Sequence, residues 1–204
     1  INDIKGTKIE GGWLYGISPR STNKWFGVGE TIGIYSAGLN PDGTPSLYSG
    51  QIHSNGVALV GVTRAINKKI KLQGWNMFTD NVFNTAMLQT DLSFPLKGNS
   101  TLMASAQIIR QDAINNGGNE NQAETYFSKG ASSLSFGTKF AWKMKRLETS
   151  LNYNCITAQG RYLVPREWGR DPFFTFLPRE RNEGFGDLDA IMAKVNYSFP
   201  KSGI

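Results

Sequence analysis

The chain has 204 residues, of which 39% are hydrophobic and 19% are charged, and its formal net charge is +6. No stretch approaches the roughly 18 consecutive apolar residues of a membrane helix, which argues against a helical membrane protein. No run of five or more basic residues occurs, so a nucleic-acid-binding tail is unsupported. The single cysteine, Cys155, excludes an intrachain disulfide and a cysteine metal cluster.

Eight segments alternate apolar and polar residues, which is the period of a β-strand that presents two different faces. In the clearest segment, residues 134–144, Phe136 and Phe140 lie on one face and Lys139 and Lys143 on the other. A half-buried soluble strand would show the same alternation, but the length suits the roughly 9–11 residues with which a tilted strand crosses a bilayer. In chain order the predicted strands are about 10–18, 54–66, 70–79, 85–94, 101–110, 133–144, 147–157 and 188–199.

The connections between these strands alternate between tight and long. Tight turns are predicted at 67–69, 95–100 and 145–146, and long loops at about 19–53, 111–132 and 158–187. Only residues 80–84 are short on the long-loop side. This alternation predicts an all-β fold, a transmembrane antiparallel up-and-down β-barrel with its tight turns at the periplasmic rim. We expect a single domain over residues 1–204 that forms about eight strands of a larger barrel, because neither end resembles a terminal membrane strand.

Strand parity assigns each side chain either to the lipid or to the lumen. The candidates for the lumen are Asp91, Lys139, Lys143, Glu148, Asn152 and Lys194. The lysines would form a basic track along the pore, or they would be solvated charges balanced by the two acids. Two segments resist assignment. Residues 56–62 are apolar on both faces, and Asn76 shares a face with Leu72 unless a bulge intervenes.

The loop 158–187 concentrates charged residues, and arginine offers a planar fork that pairs with carboxylates at two points. Placed at a constriction, such side chains would attract anionic groups while the narrow opening excludes large solutes. The other interpretation is that these charges pair with one another and brace the loop. The candidates for the constriction or for solute contact are Arg161, Arg166, Glu167, Arg170, Asp171, Arg179 and Arg181.

His53 is the only histidine, so His-His and His-Cys metal clusters are impossible, and we predict no metal site. No Gly-x-Ser-x-Gly elbow accompanies it, and we predict no catalytic residue. The chain is therefore not expected to be an enzyme or to need a cofactor.

The segment 164–184, VPREWGRDPFFTFLPRERNEG, closely resembles a loop of the OprD-type outer-membrane porins. Two further stretches resemble the same family. One is SPRST at 18–22 with NPDGTP at 40–45, and the other is LQGW at 72–75, which continues through DNVFNTAMLQ at 80–89. The resemblance implies a monomeric or trimeric barrel of about eighteen strands whose loops fold inward. It also implies that basic residues guide the carboxylate groups of small substrates, with an opposing acidic patch. The chain would then be an interior fragment that supplies a little under half of the barrel wall.

The function expected from these features is that of a substrate-selective outer-membrane porin of a Gram-negative bacterium. It would pass small carboxylate-bearing or zwitterionic solutes, such as amino acids, aromatic acids and small peptides, by passive diffusion. Its partners would be the lipid bilayer, the solutes and the rest of the parent barrel, without nucleic acid. The alternative from another class is a soluble or surface-exposed β-sheet binding module without channel activity. An eight-stranded closed barrel also remains numerically possible.

Overall fold

The computed structural model of the chain describes residues 4–19, 22–34, 38–179 and 181–199. Within these residues, eight strands form one sheet: β1 (Thr7–Leu14), β4 (Val57–Ala65), β5 (Ile70–Thr79), β6 (Phe83–Leu96), β7 (Ser100–Ala113), β8 (Ser132–Met144), β9 (Leu147–Ile156) and β10 (Leu188–Tyr197). Two short strands, β2 (Gly16–Ile17) and β3 (Phe26–Gly27), pair separately and lead into the short helix α1 (Val28–Thr31). Single 3-10 turns occur at Gln122–Glu124 and Arg166–Trp168.

The large sheet is a meander in which each strand pairs antiparallel with the next strand of the sheet along the chain, in the order β1-β4-β5-β6-β7-β8-β9-β10. The predicted all-β antiparallel arrangement is therefore confirmed. Over the described residues β1 and β10 do not pair with each other, so the sheet is open and the eight-stranded closed barrel is wrong. No helix in the described parts of the chain is both long enough and apolar enough to cross a membrane.

The predicted strand bounds agree to within one residue for β5, β8 and β9. β5 has the predicted bounds, whereas β6 and β7 extend beyond 85–94 and 101–110 because their ladder runs on from Phe83 opposite Ala113 to Leu96 opposite Ser100. The first strand begins and ends earlier than the predicted 10–18. It starts at Thr7 and ends at Leu14, because the chain then turns away to pair Gly16–Ile17 with Phe26–Gly27.

The tight turns use residues that fit a left-handed or side-chain-capped backbone. The side-chain oxygen of Asn67 accepts hydrogen bonds from the backbone N–H groups of Lys69 at 2.8 Å and Ile70 at 3.0 Å, which closes the β4–β5 turn. Gly98 and Asn99 both have positive φ in the β6–β7 turn, where glycine and asparagine are the least strained residues. These local contacts fix the register of the hairpins that they join.

The two faces of the sheet differ in character. We call the face covered by the loop 158–187 the inner face and the opposite face the outer face. The outer face is apolar and exposed, and its most exposed side chains include Ile191 at 75%, Leu88 at 65% and Phe140 at 62%. Gln107 and Gln111 are buried on the inner face. The alternation read from the sequence therefore separates an apolar surface from a polar one.

The two segments that resisted assignment are resolved by the register. The β5–β6 ladder runs without interruption from Ile70 opposite Leu92 to Thr79 opposite Phe83, so the bulge considered for this strand is wrong. Asn76 lies on the outer face opposite Val60, the same face as Leu72. In residues 56–62 the apolar side chains divide between the faces.

An apolar core lies at the end of the sheet where the long loops emerge. Phe83 belongs to the inner face, and residues of the loops before β4 and after β7 pack on it. Its buried members are Ile32, Ile52, Val82, Phe83, Tyr126 and Phe127. This core ties three connections together and gives the loops a fixed base.

Candidate functional site

The inner face carries a row of polar side chains across neighbouring strands. In register order, Lys71 lies opposite Asp91, Asp91 opposite Ser105, Ser105 opposite Lys139, and Lys139 opposite Asn152. Because directly opposed residues share a face, these five side chains line one level of the sheet. The row brings together three of the residues singled out in the sequence.

Asp91 is the hub of this row. Its carboxylate accepts hydrogen bonds from Gln73 at 2.6 Å, Gln89 at 2.8 Å and Ser105 at 2.8 Å. The ammonium group of Lys71 lies 3.3 Å away. Four donors therefore hold the carboxylate of Asp91 in place on the inner face, so this group is ordered and not loosely solvated. Lys71 was not among the predicted lumen residues, although its strand parity is the same as that of Gln73.

The other charged side chains predicted to face the lumen, Lys143, Glu148 and Lys194, lie on the inner face nearer the tight turns. Lys139 is 3.9 Å from Glu148, and both side chains are about one third exposed at 32% and 29%. Lys143 is opposite Glu148, and Lys194 is opposite Ser150 on the same face.

Asn152 has a different role from these charged groups. It is 2% exposed and donates to Ser150 at 3.1 Å and to the carbonyl of Met192 at 3.0 Å. Its amide group therefore joins β9 to β10.

The loop 158–187 is attached to the inner face by two glutamines of β7. The side-chain amide of Gln111 donates to the carbonyl of Leu163 at 2.7 Å, and its oxygen accepts from the N–H of Leu163 at 2.9 Å. Gln107 donates to the carbonyl of Pro172 at 3.2 Å. The loop backbone thereby obtains partners from the wall, as buried backbone groups require.

Apolar contacts reinforce this attachment. Tyr162 and Phe173 pack with Ile109 and Ile156 of the wall, and the two aromatic ring centroids are 4.8 Å apart. Gly137 leaves room for the ring of Phe174, since a Cβ at this glycine would lie 3.2 Å from that ring.

Trp168 links this loop to the loop that precedes β4. Its indole N–H donates to the hydroxyl of Thr31 at 2.7 Å, and its ring centroid lies 6.2 Å from that of Phe83. Thr31 is completely buried. Two loops that are far apart in sequence are therefore held in one arrangement over the inner face.

Three of the predicted arginines brace the loop. Arg161 donates to the carbonyl of Gly184 at 2.6 Å, and Arg181 donates to that of Gly169 at 2.9 Å. Arg166 donates to the carboxylate of Glu183 at 2.5 Å, yet its side chain remains 64% exposed. The bracing interpretation fits Arg161 and Arg181, whereas Arg166 both braces and projects into solvent.

The other predicted residues of the loop differ in exposure. Arg170 and Arg179 are exposed, and the guanidinium of Arg170 lies 5.8 Å from the ring centroid of Phe176. Glu167 is half-buried on the turn Arg166–Trp168. Asp171 is 3% exposed, and this burial raises the pKa of its carboxyl to about 6.

Consecutive hairpins with an exposed apolar face, a polar face and a long loop packed over that polar face form the architecture of one side of a porin-type β-barrel. Solved structures of OprD/Occ-type porins share this fold. OccK8 (OprE) of Pseudomonas aeruginosa superposes with a TM-score of 0.73 at 14% identity, over 96% of this chain and 50% of that protein. OpdQ of the same organism gives 0.71 at 12% identity, over 97% and 48%. OccAB4 of Acinetobacter baumannii gives 0.72 at 12% identity, over 97% and 43%.

The chain therefore spans about half the length of the porins that it matches. The fold that the resemblance to OprD-type porins implies for the sheet is therefore confirmed. No family model matches the chain, and no curated protein matches it.

Proposed function

We propose that the chain forms a wall segment and the constriction loop of a substrate-selective outer-membrane porin. The observation that carries this proposal is the placement of the loop 158–187 on the polar inner face, opposite an exposed apolar outer face. In a barrel, the outer face would meet lipid and the inner face would meet water. A loop fixed on the inner face then narrows the passage.

Small organic solutes with a carboxylate are the favoured cargo. Arg170 and Arg179 are exposed, and Arg166 bonds Glu183 while most of its side chain remains exposed. Guanidinium groups that keep a free edge offer two-point pairing to a carboxylate. Zwitterionic amino acids, aromatic acids and small peptides carry that group. The proposal assigns solute contact to these three arginines and bracing to Arg161 and Arg181.

The inner face of the sheet below the loop also carries more basic than acidic groups. Its basic groups are Lys71, Lys139, Lys143 and Lys194, while Asp91 and Glu148 are the acids placed on the same rows. Because the lysines outnumber the acids there, this part of the wall favours anionic groups. The two acids lie beside lysines, which gives a zwitterion alternate places for its two charges.

The working protein is proposed to lie in the bacterial outer membrane, with the rest of its barrel supplied by additional strands. It would act as a monomer or a homotrimer, without a cofactor, a catalytic residue or nucleic acid, because passive diffusion requires none of them. The competing function is a soluble or surface-exposed β-sheet binding module. That function would leave the apolar outer face in water, which is unfavourable over so large an area.

The test is single-channel recording of the full-length protein in a planar bilayer. Substituting Arg166 and Arg170 by Ala should reduce both the preference for anions and the block of current by small carboxylates. Arg146→Ala, at the turn between β8 and β9, is the matched control and should change neither quantity. Openings unaffected by the loop substitutions would contradict solute contact by these arginines. A protein that forms no pores would favour the binding module.

A further inference from the structure

The loop 158–187 contains a buried pair of carboxyl groups with unused oxygens. Asp171 and Glu183 are 3% and 5% exposed. One oxygen of each carboxyl, Oδ2 of Asp171 and Oε2 of Glu183, has no hydrogen-bond partner. Ionised oxygens of this kind are costly to bury without donors. Two of them in one loop therefore need an explanation beyond bracing.

Asp171 joins the two arms of the loop, residues 171–176 and 181–184. Its carboxyl faces the backbone N–H groups of Phe173 on its own arm and Asn182 on the other. Asn182 in turn donates from its side chain to the hydroxyl of Thr175 at 2.7 Å. The charge state of Asp171 therefore acts at the point where the arms meet.

Glu183 and Asp171 differ in how far nearby cations compensate their negative charge. Glu183 receives Arg166 at 2.5 Å and has Arg181 at 3.9 Å, so its charge is compensated. Asp171 has no ion pair within the described residues, and the charge of Glu183 opposes its ionisation while that of Arg181 favours it. Buried Tyr162 also lies near both acids.

Neither the inner face of the sheet nor Arg170 supplies a cation to Asp171. Gln107 donates to the carbonyl of Pro172 and to Gln89, and Gln89 donates to Asp91. The cation at the end of this chain of contacts, Lys71, is paired with Asp91. Arg170, next in sequence, is exposed and lies over the ring of Phe176. The favourable ligand for Asp171 is therefore a proton. Two arginines already beside Glu183 disfavour a divalent cation at this place.

We propose that Asp171 is a pH-dependent latch: its neutral carboxyl is tolerated in the closed arrangement of the two arms, and ionisation of this buried group destabilises that arrangement. Burial and the charge of Glu183 raise the pKa of Asp171 to about 6, against 3.8 for a free aspartate. A raised carboxyl pKa means that the closed loop is favoured at acidic pH and loses stability as the pH rises towards 6. Any effect of this latch on solute passage rests on the proposed porin function, whereas the pH dependence of loop opening does not.

The latch is tested by hydrogen exchange of the full-length protein in detergent, read on peptides that cover residues 171–184 and corrected for the intrinsic amide rate. If the open loop has an aspartate pKa of 3.8 and the closed loop one of about 6, opening increases about tenfold between pH ~5 and ~7.5. In Asp171→Asn, whose amide mimics the protonated acid, the change should fall below about twofold. Asp187→Asn, at an exposed acid of the same loop, should keep the full response.

Glu183→Gln provides a second variant if Asp171→Asn does not fold. Removing that neighbouring charge should move the midpoint of the response to lower pH. A flat response in the native protein, an unchanged response in Asp171→Asn, or its loss in Asp187→Asn would overturn the latch. Protection restored by Ca²⁺ at pH ~7.5 would also overturn it, in favour of a cation site. A normal exchange response in a protein that forms no pores would retain the latch and refute the porin.

Discussion

Gln111 and Leu163 form a two-way pair in which a side chain of the wall takes the place of a neighbouring strand. The Gln111 amide donates to the Leu163 carbonyl at 2.7 Å and accepts from the Leu163 N–H at 2.9 Å, and it also donates to Thr85 at 2.8 Å. Gln111 is completely buried. The backbone of the loop is thereby held in a fixed position relative to β7. Most side-chain changes in the loop should therefore leave this position unchanged.

Replacing Gln111 by Ala should destabilise the protein, because both backbone groups of the half-buried Leu163 would lose their partners. Each hydrogen bond lost in such a place costs about 0.5–1.5 kcal/mol. We expect faster hydrogen exchange in the loop 158–187 and a lower midpoint of unfolding in urea. Gln51→Ala, at an exposed glutamine of another loop, is the control. Equal exchange in the two variants would show that the pair does not position the loop.

A side chain at Gly137 should be crowded, because the ring of Phe174 and the side-chain oxygen of Gln107 would each lie 3.2 Å from an added Cβ and would have to move. Gly137→Val is expected to push the ring away and to cost about 1–3 kcal/mol through overpacking. Gly12→Val is the matched control, since nothing lies within 4 Å of a Cβ at that glycine of β1. The measurement is the free energy of unfolding together with the conductance, which should change only in the Gly137 variant.

Asp91→Asn should make the pore more selective for anions. The substitution removes the negative charge that lies 3.3 Å from Lys71, while the amide oxygen can still accept from Ser105. The reversal potential under a salt gradient should shift in the direction of anion permeation. Asp42→Asn, at an exposed acid in the loop before β4, should leave the reversal potential unchanged. A shift towards cations would contradict the placement of Asp91 in the passage.

Trp168 and Thr31 should be energetically coupled. Trp168→Phe removes the donor to the Thr31 hydroxyl, and Thr31→Val removes the acceptor together with that hydroxyl's own hydrogen bond to the carbonyl of Val28. Each change should cost at least about 1 kcal/mol, and the double variant should cost less than the sum, because the hydrogen bond between Trp168 and Thr31 is lost in both. The double-mutant cycle on unfolding free energies measures this coupling. Strict additivity would mean that the two loops are held by the apolar core alone.

The parts of the fold that repeat locally could be predicted from the sequence. Period-two alternation placed Phe140 and Lys139 on opposite faces, and the turn residues at Asn67 and Gly98 separated neighbouring strands. Such signals are carried by a few adjacent residues, so they survive without knowledge of the tertiary structure.

The parts that depend on distant residues could not be predicted. Gln111 and Leu163 are separated by 52 positions, and Trp168 and Thr31 by 137. Nothing in either local sequence distinguishes these side chains from other buried polar residues. The burial of Asp171 is of the same kind, since it arises when the arm 181–184 folds back over it. The sequence therefore indicated an arginine-rich loop but not which of its charges would brace it.

In the proposed pore, the loop 158–187 lies in a water-filled passage bounded by the inner face of the sheet. The most direct measurement uses the full-length protein with Cys155→Ser, to which a single cysteine is added by Arg170→Cys. A bulky sulfonate thiol reagent is then applied during single-channel recording. We expect a stepwise loss of current on modification at this position, and no loss with Glu120→Cys, at an exposed site on another loop. Rapid modification of the Arg170→Cys variant with full current retained would show that the loop does not lie in the passage.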